Sequence, residues 1–462
     1  YYKFAECKLF IPINSYSIYV NSYLLFTFVH YKINRNYKIM STLTIGIIVV
    51  FVLGYAFIAM ESLIKINKAA IALLMFVFCW VLYMVDPAPF VQLMHPDFKG
   101  TGEQVLSFVN SLITEHLGDT ATTLFFLMGA MTIVEIVDQN GGFNWVKNVM
   151  HSKTKRSLLW KIAFMTFFLS AILDNLTTSI VMIMILRKLV HDKKDRMIYA
   201  SLVIIAANSG GAFSPIGDVT TIMLWNAGMI TAGGVISEIF IPSLLSMIIP
   251  ALLLQTALKG NIEYDDMGTD LMGDTVVLEF TAQQRKVIFA IGVGGLCFVP
   301  LFHYLTELPP FVGILLVLGI LWTVTELFYR HMHRRRGDNI QFSKRVSNLL
   351  SRIDMSTILF FLGILMAVAC LEEVGVLHEL GGGLNSFFEG NHYAVTGIIG
   401  VLSSIVDNVP LVAGSMGMYP IQATGDMAVD GIFWQLLAYC AGVGGSILII
   451  GSAAGVVVMG LE

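Results

Sequence analysis

The chain has 462 residues, of which 56% are hydrophobic and 13% charged, whereas a soluble globular domain carries about 25% charged residues. Its net charge is −4, its pI is near 6.2 and its mean hydropathy is +0.76, so it offers no basic surface for nucleic acid. The apolar content comes in runs such as Ile45–Ala59, Ala69–Met84, Leu124–Val134 and Val235–Leu254. These lack the strict alternation of a transmembrane barrel. In lipid the backbone must pair internally, so the runs predict an all-α polytopic membrane protein.

In chain order, residues 1–39 contain a single alanine and no glycine, unlike everything after them. They read as a non-native leader, with the natural start at Met40. A first repeat is predicted over 40–260, with helices at 44–60, 69–85 and 120–138. Two arms, 157–173 and 176–190, follow around Asp174-Asn175. Half-helices 197–207 and 218–230 flank a Gly/Pro/Ser stretch, and a long helix covers 233–257. After a cytoplasmic linker over 261–285, a second repeat over 286–462 follows the same plan. Its elements are 286–302, 310–329, 356–374, arms 394–406 and 410–420, and half-helices 431–442 and 452–460. No counterpart of helix 233–257 follows, so the second repeat reads as C-terminally truncated.

Three matches carry the repeat. Asp119 and the Phe-Phe-Leu after it recur at Asp354, 235 positions on; Asp174-Asn175 recurs as Asp407-Asn408, 233 on; Gly210-Gly211 and Gly217 recur as Gly444-Gly445 and Gly451, 234 on. Lys147, Lys153, Lys155 and Arg156 precede the first arm pair, and Arg187, Lys188, Lys193, Lys194 and Arg196 follow it. Positive charge marks the cytoplasmic side, so the pair enters and returns as a re-entrant hairpin. Five crossings per repeat then invert the second half, and its hairpin enters from the other side.

Four polar segments interrupt apolar sequence at membrane depth: the tip Asp174-Asn175-Leu-Thr177-Thr178, the stretch from Asn208 to Thr221, and their mates Asp407-Asn408-Val-Pro410 and Gly444 to Ser452. Gly210, Gly211, Pro215, Gly217, Pro410, Gly444, Gly445 and Gly451 suit an unwound backbone, which a membrane tolerates only where protein or water surrounds it. Broken helices at matching positions of two repeats point to a transport site. A carboxylate near the bilayer centre costs about 2.5–3.5 kcal/mol on insertion scales. None of the four segments holds Lys, Arg or His, so Asp174, Asp218 and Asp407 require a bound cation or a proton. Asn175, Thr177, Thr178, Asn208, Ser209, Asn408, Ser446 and Ser452 supply the hard oxygens a small cation prefers. Sodium is placed at Asp174 and Asp407, where it competes with a proton.

The same acids can also serve as helix caps, and Asp119 and Asp354 read as N-caps. Glu61, Glu135, Asp138, Glu326, Glu372 and Glu373 are read as interfacial, and the histidines, His95 and His116 among them, as solvated. The five cysteines show no metal-ligand spacing. With no nucleophile–base pair either, the chain reads as neither an enzyme nor a cofactor protein.

At the two Asp-Asn tips and the stretch Asn208-Ser-Gly-Gly-Ala-Phe-Ser-Pro-Ile-Gly-Asp-Val-Thr-Thr221, the sequence resembles NhaD-type sodium/proton antiporters of the ion transporter superfamily. The resemblance covers Met40 to Glu462. It implies two inverted repeats, exchange of sodium or lithium for protons, a role in pH and salt homeostasis, and residence in the cytoplasmic membrane. The expected partners are the lipid bilayer, sodium, protons and a second copy of the chain as a homodimer. The alternative is a sodium-coupled symporter of an organic anion of the dicarboxylate or citrate type. Carboxylate carriers of that superfamily show Ser-Asn-Thr at the tips, where this chain has Asp-Asn.

Overall fold

The computed structural model describes residues 42–262, 280–336, 346–405, 407–452, 454, 455, 458 and 459. The leader, most of the linker, the charged residues Lys344 and Arg345 and the extreme C-terminus lie outside these. The chain divides into residues 1–46 and residues 47–462, and the second unit holds the helical body. Among the described residues the secondary structure is helical, apart from one isolated bridge between Thr154 and Asn261. Among the described residues eight helices are long and apolar enough to cross a membrane, which makes this a multi-pass membrane protein.

The first half comprises α1 (Thr42–Ala59), α2 (Lys68–Val85), the short α3 (Ala88–Met94), α4 (Glu103–Gln139), α5 (Asn144–Met150), the arms α6 (Lys155–Leu173) and α7 (Asn175–Leu189), α8 (Lys193–Ala212), α9 (Val219–Asn226) and α10 (Ala232–Leu254). The second comprises α11 (Ala282–Thr306), α12 (Pro310–Arg336), α13 (Met355–Glu373), α14 (Val376–Phe387), the arms α15 (His392–Leu402) and α16 (Asn408–Met418), and α17 (Ile432–Gly444). Local chemistry sets the starts. Asn67 accepts from Ala69 N at the head of α2, Asp192 from Asp195 N at α8, Asp354 from Thr357 N at α13, and Thr281 with Gln284 forms a capping box on α11. Each satisfies donors that a helix start leaves open.

Several expectations change. α4 is 37 residues long, so Asp119 sits inside a helix and not at its start. Only Asp354, its mate, is a cap. The segments expected as loops carry α3, α5 and α14. The break after α8 is shorter than the polar sequence suggests: Asn208 to Gly211 remain helical and the chain unwinds only over 213–218. Glycine and serine lower helix propensity, but hydrogen bonding and packing keep this turn in place. Likewise α17 runs on through Gly444.

Helices from one half pack against helices from the other. α2 lies along α13, with Trp80 Nε1 donating to Met366 O at 2.8 Å. α12 lies along α4, with Tyr329 donating to Asn140 Oδ1 at 2.8 Å. Glycines sit at both crossings. A Cβ on Gly363 would stand 2.6 Å from the Ala72 carbonyl carbon, and one on Gly129 would strike the Ile314 side chain. These crossings set α2 and α4 of the first half against α13 and α12 of the second.

A polar cluster where the two halves meet

Matching contacts hold the two broken segments. Ser170 on α6 donates to Ala207 O on α8 at 2.6 Å; Ser403, its mate, donates to Ala441 O on α17 at 2.7 Å. A Cβ on Gly210 would strike the Phe167 carbonyl, and one on Gly444 would strike Gly400 O. A Cβ on Gly217 would stand 2.8 Å from Ser170 O, and one on Gly451 2.7 Å from Ser403 O. The glycines are therefore there for close approach of backbone to backbone. At each break the first residue after it is a cap: Asp218 Oδ1 accepts from Thr220 N at 3.1 Å, and Ser452 Oγ from Gly455 N at 3.2 Å.

At the centre lies Asp218, only 1% exposed. Its Oδ2 accepts from Asn175 Nδ2 at 3.0 Å. Asn408 Nδ2 stands 3.3 Å from both of its oxygens. Asn175 Nδ2 also reaches Asn208 Oδ1 at 3.2 Å, and Asn208 Nδ2 donates to Ser446 Oγ at 2.9 Å and Ser452 Oγ at 3.0 Å. Both hairpin tips, both breaks and both halves of the chain thus contribute to one buried network. Among the described residues the buried hydroxyls of Thr178 and Ser209 have no partner. A buried hydroxyl left unpaired costs free energy unless something else, such as a bound ion, takes it up. Among the described residues no cation stands within salt-bridge distance of Asp218.

The two tip acids are held differently from Asp218 and from each other. Among the described residues, Asp174 makes no hydrogen bond to the cluster. It accepts from Thr177 N at 2.7 Å and Thr177 Oγ1 at 2.8 Å and so caps α7. Its φ is 105° and ψ 157°, a region that costs a non-glycine residue about 1–3 kcal/mol. The first tip is held strained by its surroundings. Asp407 adopts φ −51° and caps α16 through Val409 N at 3.3 Å. Its Oδ2 lies 3.6 Å from Lys68 Nζ. The expectation that it lacks a basic partner does not hold, because Lys68 arrives from α2, far away in sequence. Among the residues expected to bind, Asn175, Asn208, Asp218, Asn408, Ser446 and Ser452 come together in one hydrogen-bonded cluster. Thr177 serves Asp174, Pro215 and Gly445 belong to the breaks, and Gly211 lies in the last turn of α8.

A second buried cluster escaped sequence reasoning. Glu373, 6% exposed, is not interfacial: its Oε2 lies 2.8 Å from His95 Nε2 and its Oε1 2.8 Å from His116 Nε2. One carboxylate at the end of α13 ties the turn after α3 to α4. Neither histidine is free in solvent as expected. The three residues come from separate elements, and no local pattern flags them. His392 is also paired, its Nδ1 3.0 Å from Asp426 Oδ2.

Comparison with known proteins gives the context. The family described as Citrate transporter (CitMHS) matches residues 55–444. A protein named Sodium/proton antiporter 1 from Arabidopsis thaliana is 42% identical over 90% of this chain and 67% of its own length. Sodium/proton antiporter 2 from the same plant is 40% identical over 89% of this chain and 91% of its own. The Na(+)/H(+) antiporter NhaD of Vibrio parahaemolyticus is 30% identical over 75% and 84% respectively. The chain belongs to the citrate transporter family and, within it, stands with the NhaD-type relatives.

Proposed function

We propose that this protein exchanges sodium or lithium for protons by alternating access, with the cation and the proton competing for Asp218. The observation that carries this reading is the buried Asp218 carboxylate, met by two side-chain amides and a backbone N–H and by no cation among the described residues. An ionised carboxylate in that place is tolerated by virtue of these donors. A proton neutralises it directly. A sodium ion does so when the amides of Asn175 and Asn408 turn over, since each then presents an oxygen where a nitrogen stood. One carboxylate serving either a proton or a metal ion, and not both at once, makes the exchange obligatory. Asp174 and Asp407 stand at the two hairpin tips and, when ionised, draw cations towards the cluster.

The relatives named as sodium/proton antiporters support the same reading. The inverted arrangement of the two halves, their rocking about the cluster, and a place in the cytoplasmic membrane are part of the proposal. So is a homodimer: the exposed apolar faces carrying Leu252 and Leu253 on α10 and Leu315 and Leu316 on α12 suit lipid or a second copy.

The family description favours a second reading, uptake of citrate or a similar anion. An anion site is built from neutral amides, hydroxyls and helix N-termini, and Asp218 at the centre opposes it. Vesicles containing the protein separate the two. Sodium-driven proton movement with no response to citrate or succinate is the expected result. Anion uptake without sodium-dependent proton movement would overturn the antiport reading.

A further inference from the structure

Lys68 is the first residue of α2, where its positive charge stands at the positive end of the helix dipole and is unfavourable. What compensates it lies on other elements. Its ammonium is 3.6 Å from Asp407 Oδ2 and 4.2 Å from the centre of the Phe360 ring on α13.

The sequence explains why Asp407 is open to this pairing. Its mate Asp174 is engaged twice by Thr177, through N–H and hydroxyl. At the position matching Thr177 the second repeat has Pro410, which lacks both groups. Asp407 keeps a single long bond to Val409 N, and its other oxygen faces the ammonium. The pair is partly exposed, 28% for Lys68 and 20% for Asp407, so water and ions can reach it.

We infer that Lys68 is a tethered cation occupying a second cation site at Asp407, and that an arriving sodium ion displaces it on the way to or from Asp218. Lys68 is thus a specificity and positioning residue for the exchange; this rests on the antiport reading above. The displacement moves no proton. Sodium takes the carboxylate oxygen and the ammonium swings into solvent on its four-carbon stem. An ammonium in competition keeps sodium binding at the tip weak, so the ion is released instead of trapped.

The test uses the full chain, purified and monodisperse. Equilibrium binding of radioactive sodium in detergent is compared with sodium-driven proton movement in proteoliposomes. Lys68→Gln is expected to lower the half-saturating sodium concentration about fivefold, the range of a partly exposed ion pair, and to slow the maximal exchange rate. Lys68→Arg, which keeps the charge, is expected to restore the weaker binding. In an Asp407→Asn background Lys68→Gln is expected to change nothing further. Unchanged sodium binding in Lys68→Gln, or the same change with Asp407 already neutralised, would overturn the inference. If Lys68→Gln binds sodium more tightly while the unaltered protein moves no protons, the inference on Lys68 stands and the antiport reading fails.

Discussion

The two halves build the same cradle and fill it with different chemistry. Ser170 and Ser403 make the same hydrogen bond to the facing helix, and Gly210 and Gly444 allow the same close approach. At the centre the match ends. Where the first half has Asn208, the second has Gly442; where the first has Asp218, the second has Ser452. Gly442 leaves room, since a Cβ there would stand 3.6 Å from Asp218 Oδ2. Backbone geometry is thus shared because both halves must break a helix inside a membrane. The charge is held once, because a second buried carboxylate beside Asp218 would repel the first and hold a proton of its own.

The hardest test of that comparison is to remove the single charge. Asp218→Asn keeps the size and a hydrogen-bonding group, so insertion and monodispersity should survive. Exchange should fall at least about 100-fold, as befits the loss of roughly 3 kcal/mol of charged interaction. Sodium-driven proton movement in vesicles reads it. Retained exchange would place the cation elsewhere.

The shared backbone should respond equally in the two halves. Gly210→Ala and Gly444→Ala each push a methyl group into a carbonyl of the neighbouring arm. Each should cost about 1–3 kcal/mol, seen as a lower melting temperature in detergent. A large loss in one half and none in the other would mean that the matching contacts do not carry matching loads.

The amides should not respond equally. Asn175 bridges Asp218 and Asn208, whereas Asn408 reaches Asp218 alone and at longer distance. Asn175→Ala should therefore weaken sodium binding more than Asn408→Ala, about tenfold against about threefold at the scale of roughly 1 kcal/mol per hydrogen bond. Radioactive sodium retention gives both numbers, and the reverse order would contradict the assignment.

These contrasts show what the sequence could reveal. The Asp-Asn tips, the paired glycines and the long apolar runs are local signals, and they located the arms, the breaks and six cluster residues. Relations between distant elements were not legible. Lys68, one residue before the predicted helix 69–85, carries no local signal that the fold sets it beside Asp407, and Glu373 reads as a helix-end glutamate until His95 and His116 close on it. Asp119 misled for a different reason. It copies Asp354 in sequence, yet only Asp354 interrupts its helix, because the residues before it form a turn whereas those before Asp119 continue as helix. Repetition of sequence fixes which residues correspond, and leaves open whether both copies play the same part.

The smallest expected effect bears on that same point at the tips. Pro410→Thr would give Asp407 the N–H and hydroxyl that Thr177 gives Asp174. A carboxylate so engaged has less of its charge to share with an ammonium, so the Lys68 contact should loosen by about a few tenths of a kcal/mol. The helix also regains a donor in its first turn, where proline was tolerated without cost, so stability should hardly move. Sodium half-saturation should change by about twofold or less, while Lys68→Gln in the same background should lose most of its effect. If Lys68→Gln keeps its full effect in the Pro410→Thr protein, the proline is not what leaves Asp407 open, and the difference between the tips must come from the strained backbone of Asp174.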